Sequence, residues 1–147
     1  NQVNQWKEAG CTIVFTNGCF DIIHRGHIEL LSAAKKKGDR LIVGLNGDQS
    51  VKRLKGNDRP LQSAEDRAMI LDAIESVDMV VGFEEDTPAK IILHFLPDVL
   101  VKGGDYTTDT IVGADTVIAN GGIVETIPLI PEKSTTALLD RIIKSTE

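Results

Sequence analysis

Apolar runs rich in valine and isoleucine alternate with helix-period stretches five times along this chain, and nothing else in the sequence constrains its fold so strongly. The strand-like runs are Thr12–Thr16, Leu41–Leu45, Met79–Phe83, Asp98–Val101 and Ile123–Ile127. Between and after them lie the helical stretches His27–Lys37, Ser63–Glu75, Pro88–Leu96, Val112–Ala119 and Thr135–Lys144. Ser63 with Asp66 reads as a capping box, Gly38 and Gly121 stand where helices should stop, and Thr87-Pro88 reads as an N-cap with proline in the first turn. The opening Asn1–Gly10, with Trp6, reads as a short helix packed on the outside. Strand and helix in alternation predict an α/β fold: a single-domain, open, Rossmann-like parallel sheet of about five strands with helices on both faces. Ligands are then expected at the carboxyl ends of the strands.

Composition narrows the partners. The 147 residues suit one domain, and no apolar run approaches the ~18 residues of a membrane span. Two cysteines, Cys11 and Cys19, are too few for a disulfide scaffold and lack zinc spacing, which points to a reducing cytoplasm. The first residue, Asn1, is not methionine, so sequence ahead of it is allowed for. A net charge of −6 argues against a nucleic-acid surface. Any anion has to be held locally, by helix N-termini, backbone amides and a few lysines.

The corner after the first strand, Thr16-Asn17-Gly18-Cys19-Phe20-Asp21-Ile22-Ile23-His24-Arg25-Gly26-His27, is where such a site belongs. It lacks the G-x-G-x-x-G of dinucleotide oxidoreductases. Instead two histidines three residues apart flank a glycine at a helix start. That spacing lets both imidazoles face one side of the first turn, and Gly26 lets backbone or phosphate come close. Imidazole donors beside free helix amides suit a reaction in which charge builds up on phosphorus and the nucleophile is already anionic. Helix capping or core packing is the other use of such histidines. A metal site is weaker, since no third ligand stands at clear spacing.

His24-Arg25-Gly26-His27 resembles the HxGH signature of the cytidylyl- and adenylyltransferase superfamily. Asn17–Asp21, Ser50–Gly56, Arg59-Pro60, Leu100–Tyr106 and Ser134–Thr136 follow in the same order across nearly the whole chain, a set that looks most like the ADP-heptose synthase domain. The resemblance implies an enzyme that joins the nucleotidyl part of a nucleoside triphosphate to a sugar 1-phosphate and releases pyrophosphate. The pair implied is ATP and D-glycero-β-D-manno-heptose 1-phosphate, for lipopolysaccharide core synthesis. Mg²⁺ is implied as the cofactor, held mainly by the phosphates rather than by a protein cage. A homodimer in the cytoplasm is implied too, and bifunctional relatives allow a sugar kinase domain ahead of Asn1.

Carried over residue by residue, His24 and His27 contact the triphosphate, with Lys55 as a catalytic cation and Lys52 in support. The nucleotide-binding set is Thr16, Asn17, Gly18, Cys19, Phe20, Gly26, Lys102, Gly103, Asp105, Ser134, Thr135 and Thr136. The substrate-binding set is Asp21, Asp48, Arg67 and Tyr106. Lys52, Arg53 and Lys55, ahead of Gly56-Asn57-Asp58, read as a mobile basic lid, or as an ordinary solvated loop. The acids also suit turns and caps, Arg67 a surface ion pair, and Ser134-Thr135-Thr136 an N-cap. Glycerol-phosphate cytidylyltransferases carry an arginine near Leu129–Glu132, where this chain offers only Lys133. Two other readings stay open: a cytidylyltransferase for glycerol 3-phosphate or another small phosphate, and a nucleotide-binding module without turnover.

Overall fold

The computed structural model describes residues 1–104, 106–130 and 133–147. Five parallel strands form one sheet: β1 (Ile13–Gly18), β2 (Arg40–Asn46), β3 (Met79–Phe83), β4 (Val99–Gly103) and β5 (Ile123–Ile127). Their order is β3-β2-β1-β4-β5. Val14 is paired with Leu41 on one side and Val99 on the other. The winding therefore reverses beside β1, between β1 and β4, and an open parallel sheet leaves a crevice at such a switch point.

The helices are α1 (Gln2–Glu8), α2 (Arg25–Lys35), α3 (Asp48–Lys55), α4 (Ala64–Asp72), α5 (Ala89–Phe95), α6 (Ala114–Ala119) and α7 (Thr135–Ser145), with a 3-10 turn over Thr108–Thr110. Alternation along the strands sends side chains to two cores. Val14, Val43 and Val101 pack with Leu31 and Ala34 of α2 and Leu71 of α4. Ile13, Phe15, Ile42 and Leu100 pack on the other face with Val3 of α1, Ile92 of α5 and Val117 of α6. Each such buried Leu, Ile or Phe contributes roughly 1.5–3 kcal/mol, so the two faces fix where the strand ends lie.

The basic segment expected as a lid is ordered helix. In α3, Asp48 stands in the first turn and Lys52, Arg53 and Lys55 in the last, which suits the helix dipole. Ser50 and Val51 anchor it inside. Arg53 ties it down further, with Nε on Asp86 at 2.7 Å and a terminal nitrogen on the Glu84 carbonyl.

Candidate active site

At the carboxyl ends of β1 and β4 lies an open cleft of about 690 Å³. Asn17–Asp21 floor it as the chain leaves β1, Leu100–Lys102 come from β4, and α2, α3 and α7 contribute their ends.

The loop out of β1 is strained and held. Phe20 has φ +48°, a left-handed conformation that costs a non-glycine residue on the order of 1–3 kcal/mol. Its ring is buried and packs against His27, with centroids 5.1 Å apart. Arg67 of α4 overdetermines this turn. Its guanidinium is fully buried and donates to the carbonyls of Cys19 and Asn46, each at 2.7 Å, to Gln62 O at 3.0 Å and to Asp48 at 2.8 Å. One side chain thus joins the end of β1, the end of β2 and the start of α3.

The histidines form a reciprocal cap on α2. His24 Nδ1 accepts the Gly26 amide at 3.0 Å, and His27 Nδ1 accepts the His24 amide at 3.3 Å. The rings stack 3.8 Å apart. A neutral imidazole carries one N–H, so a ring accepting through Nδ1 has its proton on Nε2. Burial, with His24 adjacent, pushes His27 down to about 4; burial, with Lys133 nearby, lowers His24 as well. At neutral pH the pair therefore offers two Nε2–H donors on uncharged rings. Capping uses Nδ1 of both rings, so it is compatible with donation to a ligand through Nε2.

Because the fold favours neutral His27, its contribution to stability is complete above the unfolded value of 6.5 and is lost as pH falls towards about 4. We predict an NMR titration midpoint for His27 near 4, and a melting temperature that drops between pH 6.5 and 4. A midpoint near 6.5 would contradict the capped geometry.

Helix α7 brings a second N-terminus to the same place. Ser134 caps it by accepting the Ala137 amide at 3.0 Å, and Thr135 Oγ1 donates to Ile22 O at 3.4 Å. Gly26 makes this convergence possible. A Cβ there would stand 2.6 Å from the Lys133 carbonyl oxygen and 2.8–2.9 Å from the His24 ring. Gly26→Ala is expected to cost roughly 1–3 kcal/mol of stability and most of the activity, because the backbone of α7 and the His24 ring both have to yield. Wild-type melting and turnover in that variant would show the contact to be dispensable.

The cleft is cationic in an acidic chain. Lys55, Arg59, Lys102 and Lys133 line it, while two of its carboxylates are already paired. Asp86 binds Arg53, and Asp21, 1% exposed, accepts from Arg59 at 2.6 Å and from the Leu61 and Gln62 amides at 2.8–2.9 Å. Burial alone would raise the Asp21 carboxyl, but the Leu61 amide, Arg59 and the Gln62 amide together hold it below the usual range. Burial pushes the Cys19 thiol up despite Lys55, Arg67 and Arg59 around it, and lowers the Lys102 ammonium.

Of the residues singled out from sequence, the cleft gathers Asn17, Gly18, Cys19, Phe20, Asp21, His24, Gly26, His27, Lys55, Lys102, Tyr106, Ser134, Thr135 and Thr136. Thr16 does not line it; it is buried in β1 with Oγ1 unpartnered among the described residues. Gly103, Lys52, Asp48 and Arg67 also lie off the cleft wall. Gly103 packs under Leu30 and Leu129, Lys52 is exposed on α3, and Asp48 and Arg67 are bonded to each other. Asp105 lies outside the described residues. Arg59, Asn46 and Asp86–Pro88 join the wall without having been expected there. Arg59-Pro60 stood among the segments that carry the resemblance, but with no role attached to it.

A family model described as cytidylyltransferase-like matches residues 15–144. The bifunctional protein HldE of Mesorhizobium japonicum is 55% identical over 140 residues, which cover 95% of this chain and 28% of that protein. Its namesake in Gluconobacter oxydans is 53% identical over 137 residues, covering 93% of this chain and 29% of that one. The chain thus spans a little over a quarter of the length of the curated relatives it matches. Among solved structures, the lipopolysaccharide core biosynthesis protein from Thermoplasma volcanium superposes with a TM-score of 0.65 at 27% identity, over 82% of this chain and 98% of that one. Pantoate-beta-alanine ligase from Francisella tularensis, with a TM-score of 0.56 at 13% identity over 86% of this chain and 64% of that one, shares the fold.

Proposed function

The chain belongs to the cytidylyltransferase-like family, and on that premise we propose that its cleft transfers a nucleoside monophosphate from a nucleoside triphosphate to the phosphate of a sugar. The observation that carries this reading is the convergence of two helix N-termini with two Nε2–H donors on one cationic cleft.

The triphosphate tail lies between α2 and α7, where the free amides, Lys133, His24 and His27 meet it. An oxygen of the acceptor phosphate attacks the α-phosphorus. A new P–O bond forms, the bond from the α-phosphorus to the bridging oxygen breaks, and pyrophosphate leaves with that electron pair. No proton has to be removed from the nucleophile, so the protein's part is alignment and charge stabilisation. Neutral imidazoles suit this, since they donate to phosphate oxygens without giving up a proton.

Among the described residues no group of three His, Cys, Asp or Glu side chains is placed to hold a metal, and both Asp21 and Asp86 are paired with arginines. These residues do not fit a protein cage. We place magnesium on the nucleotide's own phosphates.

The substrate pair we propose is ATP and D-glycero-β-D-manno-heptose 1-phosphate, giving ADP-heptose in the cytoplasm. Its support is the Leu100–Tyr106 resemblance and the likeness to a lipopolysaccharide core biosynthesis protein. No helix among the described residues is long and apolar enough to cross a membrane. Pairing of two copies, and a sugar kinase domain in a longer protein, are further proposals that rest on the family alone. Pyrophosphate release measured for ATP and CTP against a panel of sugar phosphates and glycerol 3-phosphate tests the reading. ATP with the heptose phosphate is expected to be fastest. A clear preference for CTP with glycerol 3-phosphate would move the assignment, and no release from any pair would leave a binding module.

A further inference from the structure

Transfer between two phosphates needs two cationic centres, because the attacking anion and the triphosphate repel each other. One centre is at the paired helix ends. The other stands on the segment between α3 and α4, where Arg59 lines the cleft four residues after Lys55. Arg59 is 17% exposed, and its Nε is fixed on Asp21 at 2.6 Å. Asp21 is itself immobilised by the Leu61 and Gln62 amides, and the Gln62 side chain donates to its carbonyl. Only one of the three guanidinium nitrogens is used in this way. Among the described residues Nη1 and Nη2 make no hydrogen bond, and Arg59 lines the cleft. Asp21 lies three residues before His24 on the same loop, so it registers the guanidinium to the histidines.

A planar guanidinium with a fixed Nε edge presents its remaining N–H groups in the geometry that grips phosphate in two-point fashion. We infer that Arg59, keyed by Asp21, binds the phosphate of the acceptor and thereby restricts the acceptor to phosphorylated compounds. This rests on the nucleotidyl-transfer reading, and it assigns the nucleotide and the acceptor to different cations: Lys133 with the histidines for the first, Arg59 with Lys55 for the second.

The test is steady-state pyrophosphate release by the full chain carrying Arg59→Gln or Arg59→Lys, with ATP and the best sugar phosphate varied separately. Losing charge-assisted hydrogen bonds is expected to raise KM for the sugar phosphate roughly 10- to 100-fold in Arg59→Gln and less in Arg59→Lys. KM for ATP should stay within about twofold, the scatter of a neutral change. Asp21→Asn, which keeps the arginine but loosens its anchor, is expected to raise the acceptor KM severalfold and serves if Arg59→Gln does not fold. Calorimetric binding of the sugar phosphate to the protein saturated with a non-hydrolysable ATP analogue reads the same contact without turnover. Binding should be lost in Arg59→Gln and kept in wild type. A raised KM for ATP with an unchanged acceptor KM, or unchanged acceptor binding, overturns the assignment of Arg59. Wild-type protein that binds the sugar phosphate through Arg59 but releases no pyrophosphate would instead overturn the reaction and leave the arginine's role standing.

Discussion

Replacing His27 by alanine slows nucleotidyl transfer by roughly 10²–10³, about 3–4 kcal/mol of transition-state stabilisation, while nucleotide binding stays measurable. The residual binding follows from Lys133, Ser134 and the α7 amides, which the substitution leaves in place. His27 also closes the cap on α2 through Nδ1, so alanine removes a structural contact together with the Nε2–H donor. Glutamine separates the two. It is a favoured residue at the third position of a capping box, so His27→Gln is expected to recover most of the melting temperature lost in His27→Ala without recovering the rate. Pyrophosphate release and thermal melts on the two variants check this. A rate that returns together with the cap would make His27 a structural residue.

Arg67→Ala is expected to destabilise the fold by about 3–5 kcal/mol, as loss of one partner from a buried charged network does. Four acceptors lose their donor at once: Gln62 O, Cys19 O, Asn46 O and the Asp48 carboxylate. Against a total stability of roughly 5–15 kcal/mol, that is enough to unfold a visible fraction at ambient temperature. Arg67→Lys should recover only part of it, because a single ammonium cannot span acceptors spread across β1, β2 and α3. Urea unfolding midpoints give the answer directly. A shift under about 1 kcal/mol, the size of an ordinary surface substitution, would show that solvent or a rearranged neighbour replaces the guanidinium.

The sheet was legible in the sequence because each strand is a short β-branched run whose burial is decided locally. Met79–Phe83 and Ile123–Ile127 fall where they were read, and β1, β2 and β4 differ only by a residue or two at their ends. The histidine pair was legible because three-residue spacing at a helix start places both rings together whatever the rest of the chain does. Helix α3 was not. Asp48–Lys55 offers only Val51 and Leu54 as an apolar face and buries little beyond Ser50 and Val51, so that face is too short to read as a helix and its cations look like a solvated loop. The acid at its start and the bases at its end were the available signal. The structural bonds of Arg67 and Asp21 were hidden for a different reason. Two of Arg67's four acceptors, Cys19 and Asn46, and all of Asp21's donors, Arg59, Leu61 and Gln62, stand 21–48 residues away. A charged side chain that the fold uses as internal mortar looks, in sequence, the same as one that faces a ligand.

Imidazole ¹⁵N spectra recorded while a non-hydrolysable ATP analogue is titrated in test the central claim most directly. Phosphate oxygens accepting from His24 and His27 should shift both Nε2–H signals and slow their exchange with water, while both Nδ1 signals keep the values of capped acceptors. Nucleotide that saturates the protein and leaves the two Nε2–H signals where they were would contradict the account.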